Sequence, residues 1–262
     1  MKVKFTKMSG CGNDFVVIDH RNGFLHGKNL ITFAKSVCHR KTGVGADGLI
    51  LIENSDKHAF KWKFFNSDGS IPEMCGNGAR CAARFAFENQ ISLDRFVFDT
   101  AIGPIEAEVK GERVKVQMFE PKDLHLDFKI KLRNRDVLVS YVDSGVPHIV
   151  LEGEALKDRA SLIRHHPDFP RGANVDFVTY VDRSHLKIIT FERGVEDFTL
   201  ACGTGAVASA IVYAEKDLIE TPVHVEMPGG IVDVSWKDHY KKVYLEGPVD
   251  IVFEGEWLWK ES

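Results

Sequence analysis

The chain has 262 residues, 44% of them apolar and 27% charged, enough for one large or two modest globular domains with a true core. A formal net charge of −4 and a sequence pI near 6.3 exclude the electrostatic footprint of a nucleic-acid or anionic-membrane binder, which leaves small molecules or proteins as partners. No long apolar segment follows the N-terminus, so a cytoplasmic location is expected; the five cysteines, Cys11, Cys38, Cys75, Cys81 and Cys202, read as free thiols, and no C-x-x-C or H-x-x-x-H spacing calls for a metal.

Residues 1–7 alternate charge and bulk as a first strand does, and 12–18, GNDFVVI, is a glycine-led turn entering a β-branched strand. Leu30, Phe33, Ala34 and Val37 fall on one face of a helix, and 43–52, GVGADGLILI, is again turn and strand. At 75–86 a Cys-Gly-Asn-Gly turn opens an alanine-rich helix. Residues 128–136, FKIKLRNRD, alternate as one strand with a basic solvated face. The order then recurs: GVPHIVL at 145–151, a helical pattern on Leu156, Ala160 and Ile163, GANVDFVTYV at 172–181, and a second helix opened by Cys202-Gly203-Thr204-Gly205-Ala206.

The recurrence has a register. The shift that carries Cys75 onto Cys202, 202 − 75 = 127, also carries Phe64 onto Phe191, Gly76 and Gly78 onto Gly203 and Gly205, Gly103 onto Gly230, Val116 onto Val243 and Pro121 onto Pro248. The chain therefore reads as a pseudo-symmetric α+β protein of two domains, 1–121 and 122–248, with a closing strand in about 249–262 that packs back onto the first.

A cysteine at the amino end of a helix feels the positive end of the dipole and the unpaired amides there, which predicts a lowered thiol pKa at both Cys75 and Cys202. The glycines let a ligand approach the main chain, and such an end also suits a carboxylate. Two thiols serving one amino acid could act as base and acid on opposite faces of its α-carbon, with the carbanion held through its carboxylate by helix amides; neither pyridoxal nor a metal is then needed. A thiol redox switch is the alternative from another class, although such proteins more usually carry their pair as C-x-x-C.

Six segments in order, GCGNDFVVID (10–19), TGVGADGLI (42–50), FFNSDGS (64–70), MCGNGARC (74–81), FERG (191–194) and ACGTGA (201–206), resemble the diaminopimelate epimerase family over nearly the whole chain. The resemblance implies two pseudo-symmetric domains, each a mixed or antiparallel sheet wrapped as a barrel around a central helix, with the active site in the cleft between them. It implies a homodimeric, cofactor-independent epimerase interconverting LL- and meso-diaminopimelate in lysine and peptidoglycan precursor synthesis. Carried onto this sequence, it makes Cys75 and Cys202 the acid/base pair, with His148 and Glu192 tuning them. Asn13, Asn66, Gly76, Asn77, Asn174, Glu192, Arg193, Gly203 and Thr204 become substrate-binding positions. An acceptor such as Glu192 and a fork donor such as Arg193 suit the ammonium and carboxylate at the far end of diaminopimelate. Two positions depart from the family's usual pattern, Val146 where Asn is common and Gly48 where some members have Gln. Both bear on specificity, so an epimerase or racemase of histidine, glutamate or proline type stays open as a second reading. Cys11, Cys38 and Cys81 are expected to be packing residues.

Overall fold

Two uninterrupted apolar runs, Phe15-Val16-Val17-Ile18 and Leu49-Ile50-Leu51-Ile52, organise the first half, because strands without polar alternation need cover on both faces. In the computed structural model, which describes residues 1–72, 74–133 and 135–260, β1 (Lys2–Gly10) turns antiparallel into β2 (Asn13–Asp19). A crossover through α1 (Leu30–Cys38) then brings β3 (Gly48–Glu53) parallel to β2, with Phe15 opposite Gly48. Asn29 starts α1 by accepting the amides of Ile31 and Thr32 on its side-chain oxygen. Phe33, Ala34 and Val37 of α1 pack with Val16, Ile18, Leu49 and Leu51 on one face of the sheet. The other face meets α2 (Gly76–Glu88), which follows the antiparallel strand β4 (Lys61–Asn66) and is buried on every side from Gly76 to Ala83. A helix without a solvent face is a central helix. The sheet continues through β5 (Arg95–Thr100), β6 (Gly103–Lys110) and β7 (Arg113–Met118), and α2 touches β1, β2, β3 and β6.

The second half repeats the plan. The antiparallel pair β8 (Lys122–Leu132) and β9 (Arg135–Asp143) leads into β10 (Pro147–Glu152), and β11 (Asn174–Asp182) returns parallel to β10. Next come β12 (His185–Glu192), the short β13 (Asp197–Thr199) and α4 (Gly203–Glu215), preceded in the chain by the small helix α3 (Ala160–Arg164). Three strands follow, β14 (Val223–Met227), β15 (Gly230–Lys237) and β16 (Lys242–Pro248). Helix α4 is buried from Gly203 to Tyr213 and touches β9 to β12, β14 and β15. The last strand, β17 (Asp250–Leu258), pairs antiparallel with β1. By contact the chain divides into Met1–Val116 with Gly247–Ser262, and Gln117–Glu246.

Three details differ from the sequence reading. Each sheet wraps its central helix without closing into a barrel; in the first unit no pairing among the described residues joins β7 to β17. The helix read on Leu156, Ala160 and Ile163 is reduced to a 3-10 turn at Lys157–Arg159 and the five residues of α3. Unlike α1 it has no side-chain cap, and Pro167 and Gly172 follow soon after. Residues 128–136 are not one strand: β8 ends at Leu132, Arg133 takes φ of 52°, and β9 begins at Arg135, so the basic alternation belongs to a hairpin.

Candidate active site

Cys75 and Cys202 each occupy the N-cap position, in extended conformation (φ −147° and −126°), of a buried 13-residue helix. The residues that follow them, Gly76-Asn77 and Gly203-Thr204, supply the first-turn amides that no helical carbonyl can satisfy.

In the first unit Cys75 is half-buried. Its Sγ accepts from the Gly78 amide at 3.4 Å and donates to Asn13 Oδ1 at 3.5 Å. Asn77 Nδ2 reaches the same oxygen at 3.3 Å, while Asn13 Nδ2 donates to Asp47 Oδ2 at 2.8 Å, which fixes the flip of the Asn13 amide. Asp47 and Asp14 share the Arg40 guanidinium, at 2.7 and 2.8 Å, and Lys7 lies 2.8 Å from Asp14. Burial would raise the Asp14 carboxyl, but the bonds from Arg40 and Lys7 outweigh it and hold the group at about 2. Under Asn77 lies Arg80, with no exposed surface, whose Nη2 donates to Asn77 Oδ1 at 3.0 Å. Asn66, at the end of β4, donates to Ser70 Oγ at 2.9 Å within its own turn. The unit thus brings Cys75, Asn13, Gly76 and Asn77 together and gives Asn66 a separate partner.

In the second unit Cys202 is buried, and its Sγ lies 3.4 Å from Thr204 Oγ1. Thr204 Oγ1 is 2.9 Å from His148 Nε2, and His148 Nδ1 is 2.6 Å from Asp176 Oδ2. Asn174 Nδ2 also approaches His148 Nε2, at 3.2 Å, and Arg193 donates its backbone amide to Asn174 Oδ1 at 2.8 Å. Arg193 Nη1 donates to the Arg171 carbonyl at 3.2 Å. Ser144 Oγ donates to the Thr204 carbonyl at 2.9 Å. Cys202, Thr204, His148 and Asn174 therefore form one hydrogen-bonded group, with Gly203 lying between the first two in the chain, Arg193 joined to the group through its main chain and Glu192 acting on it by charge.

A helix amino end was expected to lower both thiols, and at Cys202 the opposite holds. Burial raises it well above the ordinary thiol value, and the charges of Glu192 and Asp176 add to the rise; the Thr204 hydroxyl and the Gly205 amide oppose it without prevailing. Burial also raises Cys11, Cys38 (to about 12) and Cys81, and all three are inaccessible packing residues.

Asp176, Thr190, Asp47, Asp14 and Arg80 were not singled out from the sequence. Asp176 did leave a signal: it is the one charge inside the apolar run Val175-Asp176-Phe177-Val178, every member of which is buried. The two departures also find their setting. A Cβ on Gly48 would lie 2.7 Å from the Phe64 ring and 2.9 Å from the Phe65 carbonyl, so neighbouring rings fill the space a glutamine would need. Val146 is half-buried, and its carbonyl accepts the Ser144 amide. Among the described residues no cluster of His, Cys, Asp and Glu has the arrangement of a metal site, and no helix is long and apolar enough to cross a membrane.

Two units of one plan, each with strands wrapped on a buried helix that has a cysteine at its N-cap position, define the fold class. The structure superposes on the phenazine biosynthesis protein of the PhzF family from Bacillus anthracis with a TM-score of 0.77 at 15% identity, covering 98% of this chain and 99% of that one. It matches a hydroxyproline epimerase from Agrobacterium vitis with a TM-score of 0.68 at 13% identity, over 97% and 92% of the two chains. At such identities the likeness is one of fold alone. Sequence comparison narrows the class: the diaminopimelate epimerase family model matches residues 5–123 and 140–252. The diaminopimelate epimerase of Aquifex aeolicus (strain VF5) is 44% identical over 271 aligned residues, 97% of each chain. That of Hydrogenobaculum sp. (strain Y04AAS1) is 40% identical, over 95% of this chain and 96% of its own. The chain belongs to the diaminopimelate epimerase family, a family of isomerases.

Proposed function

We propose that the chain interconverts LL- and meso-2,6-diaminopimelate without a cofactor, Cys75 and Cys202 being the acid/base pair. The observation that carries this reading is that both Cys-Gly-x-Gly-Ala segments fold alike, each cysteine standing in extended conformation at the N-cap position of a buried 13-residue helix. One cysteine, as thiolate, takes the α-proton: an S–H bond forms and the Cα–H bond breaks. The electron pair left on carbon spreads into the α-carboxylate, which the amides of Gly76-Asn77 and Gly203-Thr204 are suited to hold. The other cysteine then gives its proton to the opposite face, its S–H bond breaking as the new Cα–H forms. The pair ends with charges exchanged, and the next turnover runs in the reverse sense or after proton exchange with water.

Asn13, Asn66, Asn174, Glu192 and Arg193 are the positions assigned to the rest of the substrate, the last two to its distal ammonium and carboxylate. A cytoplasmic homodimer acting in lysine and peptidoglycan precursor synthesis belongs to the same reading, supported by membership of the family. Proton NMR in D2O, under reducing conditions, tests it with LL-diaminopimelate beside histidine, glutamate and proline. Loss of the α-proton signal with appearance of the meso isomer, for diaminopimelate alone, is the expected result. Exchange only with another amino acid would keep the two-thiol chemistry and overturn the substrate, and exchange with none would overturn both. Light scattering on the purified protein checks the dimer.

A further inference from the structure

The strands beneath α4 carry polar side chains where the equivalent strands beneath α2 carry apolar ones or none. In the first unit Phe15 stands opposite Gly48, and Ile50 opposite Phe64. In the second, the same ladder positions hold His148 opposite Asn174, and Asp176 opposite Thr190. A Cβ on Gly78 of α2 would touch Ile50 and Phe15 at 3.4 Å; on Gly205 of α4 it would meet Asp176 Oδ1 at 2.4 Å and Thr190 Oγ1 at 2.9 Å. The first unit therefore shows that this fold closes the space under a helix end with rings and aliphatic groups. Packing does not call for polar groups there, and buried polar groups are costly unless each is paired.

Each of them is paired, and the pairs share one polarity. The Arg193 amide on Asn174 Oδ1 turns the Asn174 NH2 toward His148 Nε2. A ring nitrogen that faces an NH2 is an acceptor, so His148 carries its proton on Nδ1 and donates it to Asp176 Oδ2 at 2.6 Å. Thr190 Oγ1 donates to the other Asp176 oxygen at 2.7 Å. With Nε2 an acceptor, the Thr204 hydroxyl donates to it, and Thr204 Oγ1 is left to accept the S–H of Cys202.

We propose that Asp176 is a positioning residue for Cys202: by fixing the tautomer of His148 it turns the Thr204 hydroxyl proton away from the sulfur and holds Cys202 as an S–H donor. The role in turnover rests on the two-cysteine reading above. When the S–H proton passes to the α-carbanion, the Thr204 hydroxyl can rotate to donate to the new thiolate, while His148 Nε2 keeps the Asn174 amide. No proton travels through the relay; its polarity alone is used.

The test is Asp176→Leu, which keeps the size of the side chain and removes the acceptor for Nδ1–H. Long-range 15N–1H spectra of histidine-labelled protein should show His148 as the Nδ1–H tautomer in the wild type, and a loss of that pattern in the variant. kcat for diaminopimelate should fall roughly 10- to 100-fold, the range for partners that orient a catalytic group, with KM within about twofold. Thr204→Val should lower kcat to the same extent, and Thr204→Ser, which restores the hydroxyl, should recover most of it. An unchanged tautomer or an unchanged kcat in Asp176→Leu would overturn the proposal. If that variant does not fold, equal kcat for Thr204→Val and Thr204→Ser would overturn it instead. A wild-type protein with no epimerase activity would defeat the functional reading alone, whereas a wild-type His148 protonated on Nε2 would defeat the relay alone.

Discussion

The amino ends of α2 and α4 begin with the same five-residue pattern and give their cysteines opposite surroundings. Cys75 is half-buried and receives at its sulfur the amide of Gly78, which packs over Phe15 and Ile50, with the Arg80 guanidinium beneath Asn77. Cys202 is buried, with the Thr204 hydroxyl and the Gly205 amide at its sulfur, and the charges of Asp176 and Glu192 act on it from the polar floor of its helix end. The helix dipole is common to both. At Cys202 desolvation and the charges of Glu192 and Asp176 outweigh the dipole, whose effect is of the order of 1 kcal/mol.

The largest expected effect treats the two ends alike. Cys75→Ser and Cys202→Ser should each reduce kcat by about a thousandfold or more, because a serine hydroxyl does not ionise near neutral pH and so supplies no anionic base in place of the thiolate. Near-wild-type turnover in either variant would break the pairing. A second measurement separates the ends. Iodoacetamide at pH 7.5, followed by peptide mass spectrometry, should modify Cys75 at least about tenfold faster than Cys202, since only exposed thiolate reacts. Equal rates would erase the contrast drawn above.

Gly78 and Gly205 sharpen it further, because they hold the same place in the two helices. Gly205→Ala drives a Cβ into Asp176 and should destabilise the protein by about 1–3 kcal/mol in urea unfolding. Gly78→Ala meets only ordinary contacts and should change stability by less than about 1 kcal/mol, in the stabilising direction, as alanine favours the helix. The Asp14 cluster concerns the first unit alone. A carboxyl held near 2, against 3.8 for an unperturbed aspartate, contributes stability present above about pH 4 and lost as the pH falls toward 2, up to about 2 kcal/mol. Asp14→Asn should therefore be less stable than wild type at pH 7, and the gap should close by pH 2; a gap independent of pH would remove the ionic account.

The sequence carried the helix starts because Cys-Gly-x-Gly-Ala joins a cap, permissive glycines and a helix former in five adjacent residues. It carried β2 and β3 because both-face burial writes itself as an unbroken apolar run. The relay under Cys202 was only half readable. His148, Asn174 and Thr204 came through the family resemblance, but Asp176 and Thr190 come into place through the β10–β11–β12 register, which sets residues 28 and 14 positions apart side by side. Period-two alternation puts Asn174 and Asp176 on one face once that register is known. The hairpin at Arg133 escaped because its positive φ falls on an arginine, with no glycine to mark it.

A Cβ at Gly48 would run into the Phe64 ring and come within 3.2 Å of Phe15, so its bareness is the mould of its neighbours. A side chain cannot be restored at 48 alone. Gly48→Gln and Phe64→Ala should each be harmful singly and partly cancel together, so that these positions, opposite in neither ladder, would change as a coupled pair.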